Sequence, residues 1–223
     1  VDGKEMLQNR ESIVPEFWRA PTDNDYGARL QQRFATWKSP RMEIKGFEAE
    51  GNTVIVRFNM PEQKTTLKMT YAITANGEVV FRELMSVDKE AKISDLFRYG
   101  MQLQMPKQYD LVEYYGRGPV ENYIDRNNSE FVGVYKNAVQ NEYYEYVRPQ
   151  ESGNHTDVRW FSVINNSGEG LQFYSNAPME ASAIPYTNDQ IDDGMYKDKK
   201  WGHHSGDLIH SGKTCVHIQQ RQF

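Results

Sequence analysis

Thr53-Val54-Ile55-Val56-Arg57-Phe58, Leu67-Lys68-Met69-Thr70-Tyr71-Ala72-Ile73 and Glu78-Val79-Val80-Phe81-Arg82-Glu83-Leu84 are the stretches that decide how this chain folds. Each is short and carries the period-two patterning of a strand, with side chains alternating between two faces. β-branched and aromatic residues, which fit a pleated and half-buried surface, are frequent in all three. Ala75-Asn76-Gly77 stands between the second and third runs. That tight-turn sequence predicts an antiparallel meander closed by a two- or three-residue hairpin turn.

Working outward, further strands are expected from Arg98 to Gln104, Leu111 to Tyr115, Val158 to Ile164 and Leu171 to Ser175. The last two are joined by the turn signal Asn165-Asn166-Ser167-Gly168. Turn residues recur every ten residues or so, the spacing of a sandwich or barrel rather than of strand–helix–strand units. Two segments read as helical: Ala28 to Trp37, with Leu30, Phe34 and Trp37 at helical spacing, and Tyr186 to Asp193, opened by Thr187 as its N-cap. Beyond it the chain is polar through Gly206 and reads as a surface excursion. No repeat or low-complexity linker interrupts residues 1–223, which are therefore expected to form one all-β domain. Asp2-Gly3 reads as a turn with no strand before it, and Thr214 to Phe223 as a strand that stops without a turn. Both ends suggest a piece of a longer protein.

Composition narrows the function. The 26 basic and 31 acidic residues are interspersed and leave a net charge of −5, with no Lys/Arg stripe for phosphates. Nucleic acid is therefore not an expected partner. No apolar run approaches the roughly 18 residues of a membrane-spanning helix, and no membrane partner is expected. The compartment stays open between bacterial cytoplasm and periplasm. Cys215 is the one cysteine, so a disulfide within the chain is impossible; it reads as a small buried apolar residue. The 14 Tyr, 10 Phe and 4 Trp suit strands, and their faces also suit the C–H patches of sugar rings.

Three polar clusters carry the chemistry. Phe17-Trp18-Arg19-Ala20-Pro21-Thr22-Asp23-Asn24-Asp25-Tyr26-Gly27 reads as a folded loop in which Asp23 or Asp25 clamps Arg19. Tyr114-Tyr115-Gly116-Arg117-Gly118-Pro119-Val120-Glu121-Asn122-Tyr123-Ile124-Asp125-Arg126 turns sharply out of a strand and again mixes carboxylates with arginine. Its glycines lack the spacing of a phosphate loop. Tyr146-Val147-Arg148-Pro149-Gln150-Glu151-Ser152-Gly153-Asn154-His155, followed by Asp157-Val158-Arg159-Trp160, could turn Glu151, His155, Asp157 and Arg159 to one concave surface. Arg19, Asp23, Asn24, Asp25, Arg117, Glu121, Asn122, Asp125 and Arg126 are expected to act in folding. Glu151, Asn154, His155 and Arg159 are the candidates for touching a sugar. His203 and His204 are adjacent and would point to opposite faces, so no metal site is expected.

In this order, the phrases FWRAPTDNDYG, YYGRGPVENYIDR and YVRPQESGNHTDVRW, with LFRYGMQLQMP leading into the second, resemble the C-terminal domain of bacterial family-two β-galactosidases. The resemblance runs from about Phe17 to the end. It implies a large two-sheet antiparallel supersandwich similar to galactose mutarotases. In that family both catalytic carboxylates, which a retaining glycosidase holds about 5–5.5 Å apart, are glutamates of a β/α barrel with no counterpart here. The implied role is therefore non-catalytic: to wall the active-site mouth and support domain or subunit contacts. The implied partners are the barrel and sandwich domains of the same enzyme, its galactoside and further copies. Any divalent or monovalent cation belongs to the barrel, and no cofactor is expected in this segment. Two other readings stay open. A carbohydrate-binding module would need an exposed aromatic row, for which Tyr143, Tyr144 and Tyr146 are candidates. A stand-alone aldose epimerase would need a general acid and base, for which only His155 with Glu151 can be nominated.

Overall fold

The computed structural model describes residues 3–192 and 210–220. Lys197, Lys199, Lys200, His203, His204 and the last three residues of the expected final strand lie outside them. The chain divides into two compact units, residues 1–28 with 98–223, and residues 29–97. The first opens with strand β1 (Val14–Glu16) and helix α1 (Asp23–Gly27). The second holds helix α2 (Leu30–Arg33) and strands β2 (Glu43–Glu50), β3 (Thr53–Met60), β4 (Thr65–Ile73) and β5 (Val79–Val87). The first then continues with β6 (Gly100–Pro106), β7 (Leu111–Gly118), β8 (Phe131–Ala138), β9 (His155–Ile164) and β10 (Gly170–Ile184). Helix α3 (Asn188–Ile191) and β11 (Lys213–Gln220) complete it. Every described strand pair is antiparallel, in one sheet of seven strands and one of four, which bears out the expected all-β, two-sheet class.

The second unit is the expected meander, ordered β2-β3-β4-β5. The turn between β4 and β5 is Ala75-Asn76-Gly77, closed by Thr74 N–H donating to Glu78 O at 2.9 Å. Gly77 has φ +82°, which a residue with a Cβ rarely adopts. Alternation turns Phe58, Val56, Leu67, Met69, Phe81 and Met85 to one face, where Leu67 and Met69 are buried. The single expected helix from Ala28 to Trp37 is instead broken. Arg29, at φ +57°, stands outside α2, and a 3₁₀ turn at Ala35–Trp37 follows.

The seven-stranded sheet runs β1-β6-β11-β10-β9-β7-β8. Leu103, Met105, Val112, Tyr114, Phe161, Val163, Met179, Ala181, Ala183 and Val216 lie in its main core, all buried. Strand period places Glu16, Glu180, Ser182, Ile184 and His217 on the opposite face. There Ile184 joins Ala20, Tyr143, Tyr186 and Ile191 in a second cluster built from the loops and α3. Asp157, at φ +52°, lies in β9 where its register with β10 shifts between His155 and Val158, and a second shift between Val158 and Trp160 lets both Val158 and Phe161 enter the core.

Gly100 of β6 sits directly between Glu16 of β1 and Gln219 of β11. A Cβ there would lie 2.3 Å from Ile218 O and 2.8 Å from Gln219 Cα, both backbone atoms that cannot step aside. Gly100→Ala is expected to destabilise the first unit by about 1–3 kcal/mol, the usual cost of overpacking. An unchanged urea midpoint would contradict this close strand approach.

Three strands, β1, β2 and β8, are not among those expected above. α1 is likewise a correction, since its segment reads as irregular loop. Its signal is local: Thr22 and Asp25 form a capping box, with Thr22 N–H donating to Asp25 Oδ2 at 2.7 Å and Asp25 N–H to Thr22 Oγ1 at 3.3 Å.

Candidate functional site

The three motifs meet in the first unit as a layer of buried polar side chains. Glu121 is the clearest hub. Arg126 Nη2 (2.5 Å) and Tyr146 Oη donate to its Oε1, while Ser152 Oγ (3.0 Å) and Gly153 N–H (2.5 Å) donate to its Oε2. A carboxylate has about four acceptor sites, and here all four are taken. Burial and the Glu121 carboxylate beside it hold the Tyr146 hydroxyl well above the usual tyrosine range.

Asn122 is equally saturated. Its Nδ2 donates to Arg117 O (2.9 Å) and Val120 O (3.0 Å), and its Oδ1 accepts from Thr156 N–H (3.0 Å) and Thr156 Oγ1 (2.6 Å). Asn122 N–H donates to Asn154 O at 2.7 Å, and Asn154 Nδ2 returns to Asn122 O at 2.9 Å. These bonds fasten the second motif to the third. Arg117 Nε holds Asp157 Oδ2 at 2.5 Å, and its Nη1 donates to Glu130 O at 2.9 Å. His155 Nε2 lies 2.5 Å from Glu142 Oε2 and its Nδ1 3.2 Å from Arg117 O, with the ring packed on Tyr114 at 4.2 Å.

A second hub is Arg98, whose side chain is 2% exposed. Its Nη1 donates to Glu16 Oε2 at 2.9 Å and its Nη2 to Glu151 Oε1. Glu16 also receives Asn188 Nδ2 at 2.5 Å and His217 Nδ1 at 2.8 Å. Burial opposes the charge on Glu16, but Arg98 and His217 outweigh it and hold its pKa below the usual carboxylate value. In the first motif Arg19 Nη1 reaches Asp25 Oδ2 at 2.6 Å, so Asp25 is the clamp. Burial raises the Asp25 carboxyl, but Arg19 and Thr22 bring it below the usual value. Asp23 instead ties α1 to the third motif, its N–H donating to Gln150 Oε1 at 3.1 Å.

Glu151, Asn154 and His155 are buried with these internal partners, whereas Arg159 is exposed and lies 5.1 Å over the Tyr115 ring. The four sugar candidates are therefore not gathered at one accessible surface. Asn24 and Asp125 depart from the expected pinning role. Both are exposed, and neither side chain has a hydrogen bond or ion pair among the described residues. Asp125 lies in the turn closed by Arg126 N–H on Tyr123 O (2.9 Å), and that turn faces solvent. Of the three candidate tyrosines, Tyr143 is buried, Tyr146 is held by Glu121 and Tyr144 is exposed. Among the described residues, no group of three or more His, Cys, Asp or Glu is arranged to hold a metal ion.

A family model described as the beta galactosidase small chain matches residues 1–223. The chain belongs to the β-galactosidase small-chain family. A β-galactosidase of Lactobacillus delbrueckii subsp. bulgaricus is 36% identical over 200 residues, which cover 85% of this chain and 19% of that protein. One of Priestia megaterium is 31% identical over 191 residues, 82% of this chain and 18% of that protein. One of Streptococcus thermophilus is 29% identical over 204 residues, 88% and 20% respectively. The small chain thus spans about a fifth of the length of these relatives. Four residues that complete its buried layer, Glu16, Arg98, Glu142 and His217, carry no local signal. His217 meets Glu16 across 201 positions, a separation at which no short motif could announce the pair.

Proposed function

We propose that this chain is the non-catalytic C-terminal domain of a retaining β-galactosidase, walling the mouth of the active site and supporting domain or subunit contacts. Its partners in this reading are the barrel and sandwich domains of the same enzyme, the galactoside they hydrolyse and further copies of the enzyme. Cations would belong to the barrel.

The observation that carries this reading is how the motif carboxylates are engaged. A general acid or a nucleophile needs an oxygen free to meet the glycosidic oxygen or the anomeric carbon. All four acceptor sites of Glu121 are filled within the protein, and the buried Glu151 is held by Arg98. Asp25 and Asp157 are likewise matched to Arg19 and Arg117. Groups held this way suit a scaffold and give a glycoside no purchase.

The purified chain is expected to show no turnover of an aryl β-galactoside above buffer. Hydrolysis by the pure chain, abolished by a single substitution such as Glu151→Gln, would refute the reading.

A further inference from the structure

Both nitrogens of the His155 ring face acceptors. Nδ1 lies 3.2 Å from the Arg117 carbonyl oxygen, and Nε2 lies 2.5 Å from Glu142 Oε2. A carbonyl oxygen and an ionised carboxylate have no proton to offer, and a neutral imidazole has only one N–H. That state would set a bare ring nitrogen against an oxygen lone pair. The two side chains are 1% and 3% exposed, so solvent does not relieve the contact. The arrangement is satisfied when one proton sits on Nδ1 and another between Nε2 and Glu142. That is one more than a neutral imidazole beside a carboxylate carries. His217 also lies buried beside a carboxylate but makes no such demand, because among the described residues only its Nδ1 has a partner.

The surrounding groups leave this extra proton necessary. Glu142 Oε1 accepts from Asn137 Nδ2 at 2.7 Å, and no Lys or Arg reaches the carboxylate among the described residues. Tyr114 of β7 packs on the ring at 4.2 Å. Burial and Glu142 raise its hydroxyl, so it brings no charge, and its face favours a cation. Tyr135 of β8 donates its hydroxyl to Phe131 O. The Arg117 guanidinium is taken by Asp157 of β9 and by the carbonyls of Asn127 and Glu130. The Glu130 carboxylate accepts from Val120 N–H, and that of Glu121 is filled.

We propose that His155 and Glu142 form a proton-operated latch: folding captures one proton between them, and its loss releases the third motif from the turn behind β8. Glu142 closes that turn, the 3₁₀ segment Val139–Asn141, and His155 opens β9 at the end of the motif. The two backbones already touch beside the pair, since a Cβ on Gly153 would lie 2.8 Å from Glu142 O. Through Arg117 O the same ring also reaches the second motif. An ordinary imidazole loses its proton near pH 6.5, so at about pH 8 the unfolded chain lacks the proton that the closed latch holds. Folding then takes up a proton, and stability falls as pH rises.

Glu142→Gln separates the latch from the hydrogen bonds around it. The Gln oxygen accepts from Asn137, and its NH₂ donates to a neutral Nε2, so no extra proton is needed. Urea unfolding of the purified unmodified chain and of Glu142→Gln is compared from about pH 7 to about pH 9. The folding constant of the unmodified chain relative to the variant is expected to fall by up to tenfold per pH unit. Other titrating groups, Glu83 among them, are common to both chains and cancel in the ratio. A ratio that stays constant overturns the proposal. Nuclear magnetic resonance of the unmodified chain, with isotope-labelled histidine, decides the matter even if the variant fails to fold. At about pH 8 it should show a proton at each His155 nitrogen, on Nδ1 and in the Nε2–Glu142 contact. A ring with one N–H and no proton in that contact would also overturn the latch.

Discussion

Arg98→Met is expected to lower the stability of the fold by about 3–5 kcal/mol, the usual cost of removing one partner from a buried ion pair. Methionine fills much of the volume but leaves Glu16 and Glu151 stranded, both with side chains no more than 4% exposed. Glu16 would keep His217 and Asn188, while Glu151 would lose its guanidinium. In thermal unfolding this corresponds to a fall of roughly 10 °C in the midpoint for a chain of this size. The loss should also depend on pH. Glu16 is a carboxyl whose folded pKa lies below its unfolded value. Its contribution is therefore present above the unfolded pKa and fades as pH falls through the folded one. The gap between Arg98→Met and the unmodified chain should accordingly narrow in acid. A midpoint shift of a degree or less near neutral pH would mean that the Glu16–Arg98–Glu151 triad does not form.

Glu83→Gln should do the reverse and stabilise the second unit in alkali. Glu83 shares a cross-strand row with Met69, Val56 and Phe47 on the apolar face of the four-stranded sheet. Its Oε1 is buried with no hydrogen-bond partner among the described residues. Burial pushes its carboxyl from the usual 4.5 up to about 8. For an acid whose folded pKa is raised, ionisation favours the unfolded chain. Stability is therefore greatest below about 4.5 and is lost as pH climbs toward 8. The full shift would correspond to almost 5 kcal/mol at about 1.36 kcal/mol per pKa unit. Glu83 is only partly screened from water, so a gain of roughly 2 kcal/mol at pH 9 is the expected scale. The substitution should be near neutral at pH 4.5. Equal effects at the two pH values would show that Glu83 is solvated in the folded protein.

Both cases show where the sequence was legible. The meander was readable because its pattern is local: alternation in β3, β4 and β5, and a glycine where the turn needs positive φ. Thr187 capped α3 as expected, with Gln190 completing the box. β2 escaped because the register shift between Ile44 and Gly46 breaks its period of two: Ile44, Phe47 and Ala49 share one face and Glu43, Glu48 and Glu50 the other, each set mixing odd and even positions. The Arg19 clamp was legible as far as its type, and geometry chose Asp25 over Asp23. Asp125 was misread because its composition matched that of its neighbours, while the turn that carries it faces water. Glu16, Arg98 and His217 were invisible because their contacts are fixed by strand order alone. The carboxylate of β1 reaches β11 beside a β6 that offers only Gly100 between them.

The central claim is that the three motifs are fastened into one buried layer by their own carboxylates and amides. Native-state hydrogen exchange of loop amides reads this directly. Gly153 N–H is bound to Glu121, and Asn122 N–H to Asn154 O. If the layer is formed, these amides exchange as slowly as those of the central strands β9 and β10, and Glu121→Ala releases Gly153 preferentially. If they exchange at the rate of exposed loops in the unmodified chain, the motifs are not fastened together and the account is wrong.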